Sequence, residues 1–120
     1  MPAVPYDIAL EQGATFTVSF EWREDDGSDP PAGPLIDTTN YTPHMQIRTK
    51  PGGAVIATFG PGSGLGIAGG VITLRIGADI AETITRAGVY DLELHNTTDP
   101  TDVIRLVKGR VSLDPEVTVP

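Results

Sequence analysis

The sequence predicts an all-β fold, a single antiparallel β-sandwich of about seven strands, immunoglobulin-like, with one short helical turn near residues 78–85. Three observations carry that prediction. First, Phe16, Val18, Phe20 and Trp22 alternate with Thr15, Thr17, Ser19 and Glu21. Period 2 places the large side chains on one face of a strand and the polar ones on the other. Second, fourteen glycines and eleven prolines punctuate the chain, which suits many short strands better than long helices. Third, turn signals recur every roughly 8–12 residues, the spacing of a sandwich.

The length of 120 residues fits one domain, residues 1–120, because two separate cores would each be marginal. A hydrophobic fraction of 39% is enough to fill one core.

Taken in order, Tyr6 to Leu10 reads as a short strand broken at Gln12-Gly13. The Phe16–Trp22 strand follows, with its four large residues expected inside. Residues 25–34, Asp-Asp-Gly-Ser-Asp-Pro-Pro-Ala-Gly-Pro, read as an exposed loop, because proline lacks a donor and glycine and aspartate favour turns. Leu35-Ile36-Asp37 returns to the core edge and Thr38-Thr39-Asn40 turns. Tyr41 to Lys50 is a strand with Met45 and Ile47 inward and Gln46 and Arg48 outward. Pro51-Gly52-Gly53 turns it into Ala54 to Phe59, giving a hairpin. Residues 60–70 hold six glycines and read as a long flexible loop.

Val71 to Ile76 is a strand. Residues 78–85 suit a helical turn capped by Asp79, ended by Gly88, at the place where a sandwich changes sheet. Tyr90, Leu92 and Leu94 alternate as the next strand. Tyr90 is placed either to bond back across that corner or to be a plain half-buried tyrosine. Asn96 to Asp102 is a polar turn. Val103 to Leu113 changes phase: Ile104 and Leu106 share one parity, while Val107, Gly109, Val111 and Leu113 share the other. A bulge near Lys108-Gly109 is expected to reset it. Residues 114–120 read as an extended tail.

Composition limits the partners. Eight basic against sixteen acidic residues give a formal charge of −8. Phosphate backbones need clustered Lys and Arg, which are scattered along this sequence, so neither nucleic acid nor an anionic membrane is an expected partner. Acidity suits solubility. The absence of cysteine removes disulfides and thiolate chemistry. No apolar run reaches the roughly 20 residues of a membrane span, and the N-terminus carries no readable address.

The search for chemistry yields no catalytic, cofactor-binding or metal-binding residue, and no cofactor. Asp25, Asp26 and Asp29 are the best candidates for a cation, but the spacing of a calcium loop is missing and a solvated turn is the preferred reading. His44 and His95, in strands far apart in sequence, are each expected to be a surface or edge histidine, because a catalytic or zinc set needs three or four convergent groups. Gly60-Pro61-Gly62-Ser63-Gly64 is followed by a strand rather than a helix, so it is no phosphate cradle. Trp22 is expected in the core rather than as a sugar platform. An enzyme is not expected.

Three segments carry a resemblance: Tyr6-Asp7-Ile8-Ala9-Leu10-Glu11-Gln12-Gly13-Ala14-Thr15-Phe16; Ile36-Asp37 through Asn40-Tyr41-Thr42 to Met45–Gly53; and Gly88-Val89-Tyr90-Asp91-Leu92-Glu93-Leu94 with Arg105–Gly109 and Pro115–Thr118. Together they resemble the LtfC-like family of small β-sandwich proteins encoded among structural genes of tailed bacteriophages. The resemblance spans nearly the whole chain. It departs from the family's Asp-Leu-Thr-Gly-Tyr turn, which reads Asp37-Thr38-Thr39-Asn40-Tyr41 here behind a longer proline-rich loop.

What the resemblance implies is a non-enzymatic virion component, assembled in the bacterial cytoplasm. It would pack against other phage structural proteins and copies of itself through loops, strand edges and termini. A place in the tail, baseplate or fibre comes first. Capsid decoration or the head–tail connector region comes second, and a receptor- or carbohydrate-binding module is the other alternative.

Overall fold

A computed structural model of the chain describes residues 3–28 and 31–115. It is nearly all β, with nine strands: β1 (Val4–Pro5), β2 (Ile8–Glu11), β3 (Phe16–Glu21), β4 (Tyr41–Arg48), β5 (Val55–Pro61), β6 (Gly64–Ala68), β7 (Val71–Ile76), β8 (Gly88–Asn96) and β9 (Val103–Asp114). One four-residue helix, α1 (Ala78–Ala81), lies between β7 and β8. The two strands beyond the expected seven are β1, of two residues, and β6, of five.

The strands follow one path, β1-β9-β8-β4-β5-β6-β7-β3, with β2 also on β9. The path folds into two layers. β1 and β2 lie parallel to β9, which runs antiparallel to β8, then β4, then β5. The second layer is β6, β7 and β3, paired antiparallel. β5 belongs to both: Val55 to Phe59 pair with β4, while Gly60 and Pro61 pair with β6.

The segment 60–70, expected as a loop, is therefore largely strand. Its glycines permit this rather than prevent it. Gly64 has φ of +94° and a Cβ there would lie 2.7 Å from the Phe59 ring. Only glycine allows this tight return with Phe59 buried beneath it.

The core forms between the layers. Ile8, Leu10, Met45, Ile47, Ile72, Leu74, Ile76, Leu92, Leu94 and Val111 are all but fully buried. The alternation of β3 is confirmed in direction but not in depth: Phe16, Val18 and Phe20 are only half-buried, since β3 is an end strand of its layer. Trp22, just past β3, is buried at 6% exposure and meets Tyr41 edge-on with centroids 5.1 Å apart. Its backbone joins two segments, donating to Gly70 O and accepting from Ile36 N–H, both at 2.8 Å.

The helical turn does carry the chain from one layer to the other, but it is shorter than 78–85 and Asp79 does not cap it. Gly77 is the N-cap, and its carbonyl accepts from the Ile80 and Ala81 amides. Asp79 sits in the first turn, where a carboxylate favours the helix dipole. Ala81 and Ile84 plug the core beneath.

The phase change in β9 is a bulge, two residues earlier than expected. Leu92 pairs with Val107 but Glu93 pairs with Arg105, so Leu106 is the extra residue. Leu106 and Val107 both turn inward, at 3% and 2% exposure. Inserting one residue flips the facing of everything beyond it, which joins the even-numbered apolar run to the odd-numbered one.

Tyr90 does not bond across the corner. Its hydroxyl donates to Tyr6 O at 2.5 Å, pinning the N-terminal segment between β1 and β2. Tyr6 N–H in turn donates to Lys108 O at 2.9 Å. Gly109 lies directly under this crossing, and a Cβ there would overlap the Tyr6 carbonyl. Of the expected tail 114–120, residues 116–120 fall outside the described residues.

Three substitutions check this packing. Trp22→Ala is expected to lower the unfolding free energy by about 3–5 kcal/mol through the cavity it leaves. Gly109→Ala is expected to cost about 1–3 kcal/mol by overpacking, more than Tyr90→Phe at about 1 kcal/mol. Urea titration reads all three. A neutral Gly109→Ala would show that the N-terminal segment does not cross β9 there.

Candidate interaction surfaces

The pleat of β4, β8 and β9 turns one set of side chains outward, and the strand registers fix their neighbours. Across this outer face the rows run Arg48–Val89–Arg110, Gln46–Asp91–Lys108 and His44–Glu93–Arg105. The bulge at Leu106 is what brings Arg105 onto the same face as Lys108 and Arg110, despite opposite parity. The result is a central file of two carboxylates on β8 flanked by cations. A concavity of about 630 Å³ lies here, lined among others by Arg48, Asp91, Arg105, Lys108 and Arg110.

The bonds within this face are mostly local. Arg48 is held by Gln46 Oε1, at 3.1 and 2.8 Å, and by Gly53 O at 2.8 Å. Arg105 Nε stands 3.4 Å from Asp91 Oδ2. Burial holds the Asp91 carboxyl above its ordinary range, with neighbouring Glu93 adding to the shift and Arg105 and Arg48 opposing it.

His44 and His95, far apart in sequence, are neighbours on the outer sheet face. Their rings cross at 63° with centroids 4.6 Å apart. His95 Nε2 lies 3.1 Å from Glu93 Oε1, and Thr42 Oγ1 lies 3.4 Å from His44 Nε2. Sequence distance hid this: 51 residues separate them, yet β4 and β8 pair side by side. Among the described residues no group of three or more His, Cys, Asp or Glu side chains is placed to hold a metal ion.

A second surface is the seam between the ends of the sheet path. Among the described residues β3 pairs on one side only, and Phe20 meets Tyr6 edge-on at 5.3 Å. Val4, Tyr6, Phe20 and Leu106 line a groove of about 360 Å³ there, rimmed by Glu21 and Arg23. Those two rim residues form an ion pair.

The acidic loop is exposed, as expected, and Asp29 lies outside the described residues. Asp25 Oδ1 accepts from Gly27 N–H at 2.9 Å. Asp26 Oδ1 accepts from Ser28 and Ala32 amides at 3.0 and 3.2 Å. Each carboxylate thus organises its own turn. The segment 60–64 leads into β6 rather than into a helix, as expected. Trp22 is in the core.

Three turn aspartates set the acid behaviour. The Ser28 amide, followed by that of Ala32, holds Asp26 below 3.8. The Thr39 hydroxyl, then its amide, lowers Asp37, and Thr101 does the same for Asp99. A depressed carboxyl contributes stability that is present above 3.8 and lost as pH falls through its lower folded value. Asp91 has the opposite sign: its raised pKa makes its charge unfavourable to folding at neutral pH. Stability is therefore expected to fall below about pH 3.8, and Asp91→Asn to be at least as stable as the parent at pH 7. A clear loss in that variant, read by thermal denaturation, would mean that the Arg105 contact outweighs burial.

Comparison with known proteins adds one finding. The model of the LtfC-like, beta-sandwich domain family matches residues 2–114. No curated protein matches the chain.

Proposed function

We propose that this chain, which belongs to the LtfC-like β-sandwich family, is a non-enzymatic structural component of a tailed bacteriophage virion. It packs against other virion proteins, in the tail, baseplate or fibre ahead of the capsid surface. The family match across residues 2–114 carries this reading.

The surfaces support it. The polar groups that converge lie on an open sheet face rather than in an enclosed cleft, and most bond to neighbours on the same strand. An end strand and an apolar seam are available for contact with other chains. The carbohydrate-binding alternative has less to rest on, because the indole of Trp22 is buried against Tyr41. The proposal assigns no nucleic-acid or membrane partner and no cofactor.

Mass spectrometry of purified particles tests it. The chain is expected as a stoichiometric virion protein, and immuno-electron microscopy is expected to label the tail. Absence from purified particles that carry the gene would refute the reading. Capsid labelling would keep the virion role and move its place.

A further inference from the structure

We propose that copies of this chain associate head to tail, the acidic Glu24–Asp26 loop of one copy seating on the cationic outer face of the next. The inference deepens the structural role proposed above and rests on it for its purpose, though not for its physics.

The face concentrates charge against the trend of the chain. Four of the eight cations, Arg48, Arg105, Lys108 and Arg110, line one concavity beside two carboxylates, Asp7 and Asp91, a local positive excess on a protein of net charge −8. Among the described residues the side chains of Lys108 and Arg110 have no hydrogen-bond or ion-pair partner, while Arg105 reaches Asp91. All three are exposed.

The complement is on the same molecule. Glu24-Asp25-Asp26 is the only run of three acidic residues in the sequence. All three are exposed, and none forms an ion pair with a described residue. Amide bonds to Asp26 keep that carboxyl ionised and the loop in shape before any contact. Spacing agrees as well. Lys108 and Arg110 are about 7 Å apart along β9 and Arg48 stands two strands away, roughly 10 Å. Three consecutive residues reach at most about 7 Å from first to last.

Charge also selects the geometry. Copies of a strongly acidic chain repel each other broadly, so contact needs a local complement. A two-fold pairing of this face with itself, with its axis on β8, would set the Asp91–Glu93 file against its own image. Loop-on-face contact avoids that. Made in one direction, from each copy to the next, the contact is heterologous and builds a ring or an open filament.

The test uses sedimentation velocity on the full chain at low salt. The parent is expected to form species larger than a dimer, with affinity falling by about tenfold or more as salt is raised, because screening shortens to a few Å. Lys108→Glu/Arg110→Glu disables the face. Asp25→Asn/Asp26→Asn disables the loop while keeping the oxygen that accepts the turn amides. Each variant alone is expected to be monomeric, with folding checked by circular dichroism. Mixed, they are expected to form a one-to-one dimer and nothing larger, since one intact loop then meets one intact face.

A parent that stays monomeric overturns the proposal. So does association that survives either double substitution, or two monomeric variants that fail to combine. None of these outcomes touches the virion reading, which particle mass spectrometry decides separately.

Discussion

The residue on which most of this structure turns is Leu106, the extra residue in β9. A strand with strict alternation could bury either Ile104 and Leu106 or Val107, Val111 and Leu113, but not both sets. One inserted residue resolves the conflict by sending Leu106 and Val107 inward together. The same step decides the outer face. It aligns Arg105 with Lys108 and Arg110, so the core and the charged surface are two consequences of one backbone irregularity. Bulges next to functional surfaces commonly re-aim side chains in this way.

β9 is also where the fold is closed. It pairs with β8 on one side and with β1 and β2 on the other. The N-terminal segment crosses it at Gly109, held by the Tyr90 hydroxyl on Tyr6 O and by the Tyr6 amide on Lys108 O. At the other end of the sheet path, β3 has no paired neighbour beyond β7 among the described residues, and Phe20 packs its ring on Tyr6 of the N-terminal segment. The sandwich is thus bonded along its path and merely packed at its seam. A seam of that kind is where another chain could add contacts without breaking a ladder.

Much of this was legible in the sequence, for physical reasons that vary by segment. Val71 to Ile76 was bounded correctly because β-branched alternation and flanking glycines agree. The phase change in β9 was visible because parity is a strict property of a strand. Its location was not, because glycine is common at bulges and Gly109 drew attention away from Leu106. The true role of Gly109 is close approach to Tyr6, a long-range contact that no local pattern reports. β6 was missed because glycines usually weaken strands; here they supply the positive φ values and the clearance that Phe59 needs. The histidine pair and the charged rows were invisible until strand order was known, since register between β4, β8 and β9 is tertiary information. The tyrosine was identified but its partner was not, because an acceptor 84 residues upstream leaves no trace in local sequence.

The most direct test of this account is cysteine accessibility along β9, which is clean because the chain has no native cysteine. Single substitutions at Arg105, Leu106, Val107, Lys108 and Arg110 would be labelled with a thiol reagent under native conditions. Rapid labelling is expected at 105, 108 and 110, with protection at both 106 and 107. Strict alternation, with 106 protected and 107 labelled, would contradict it and would dissolve the cationic face along with the bulge.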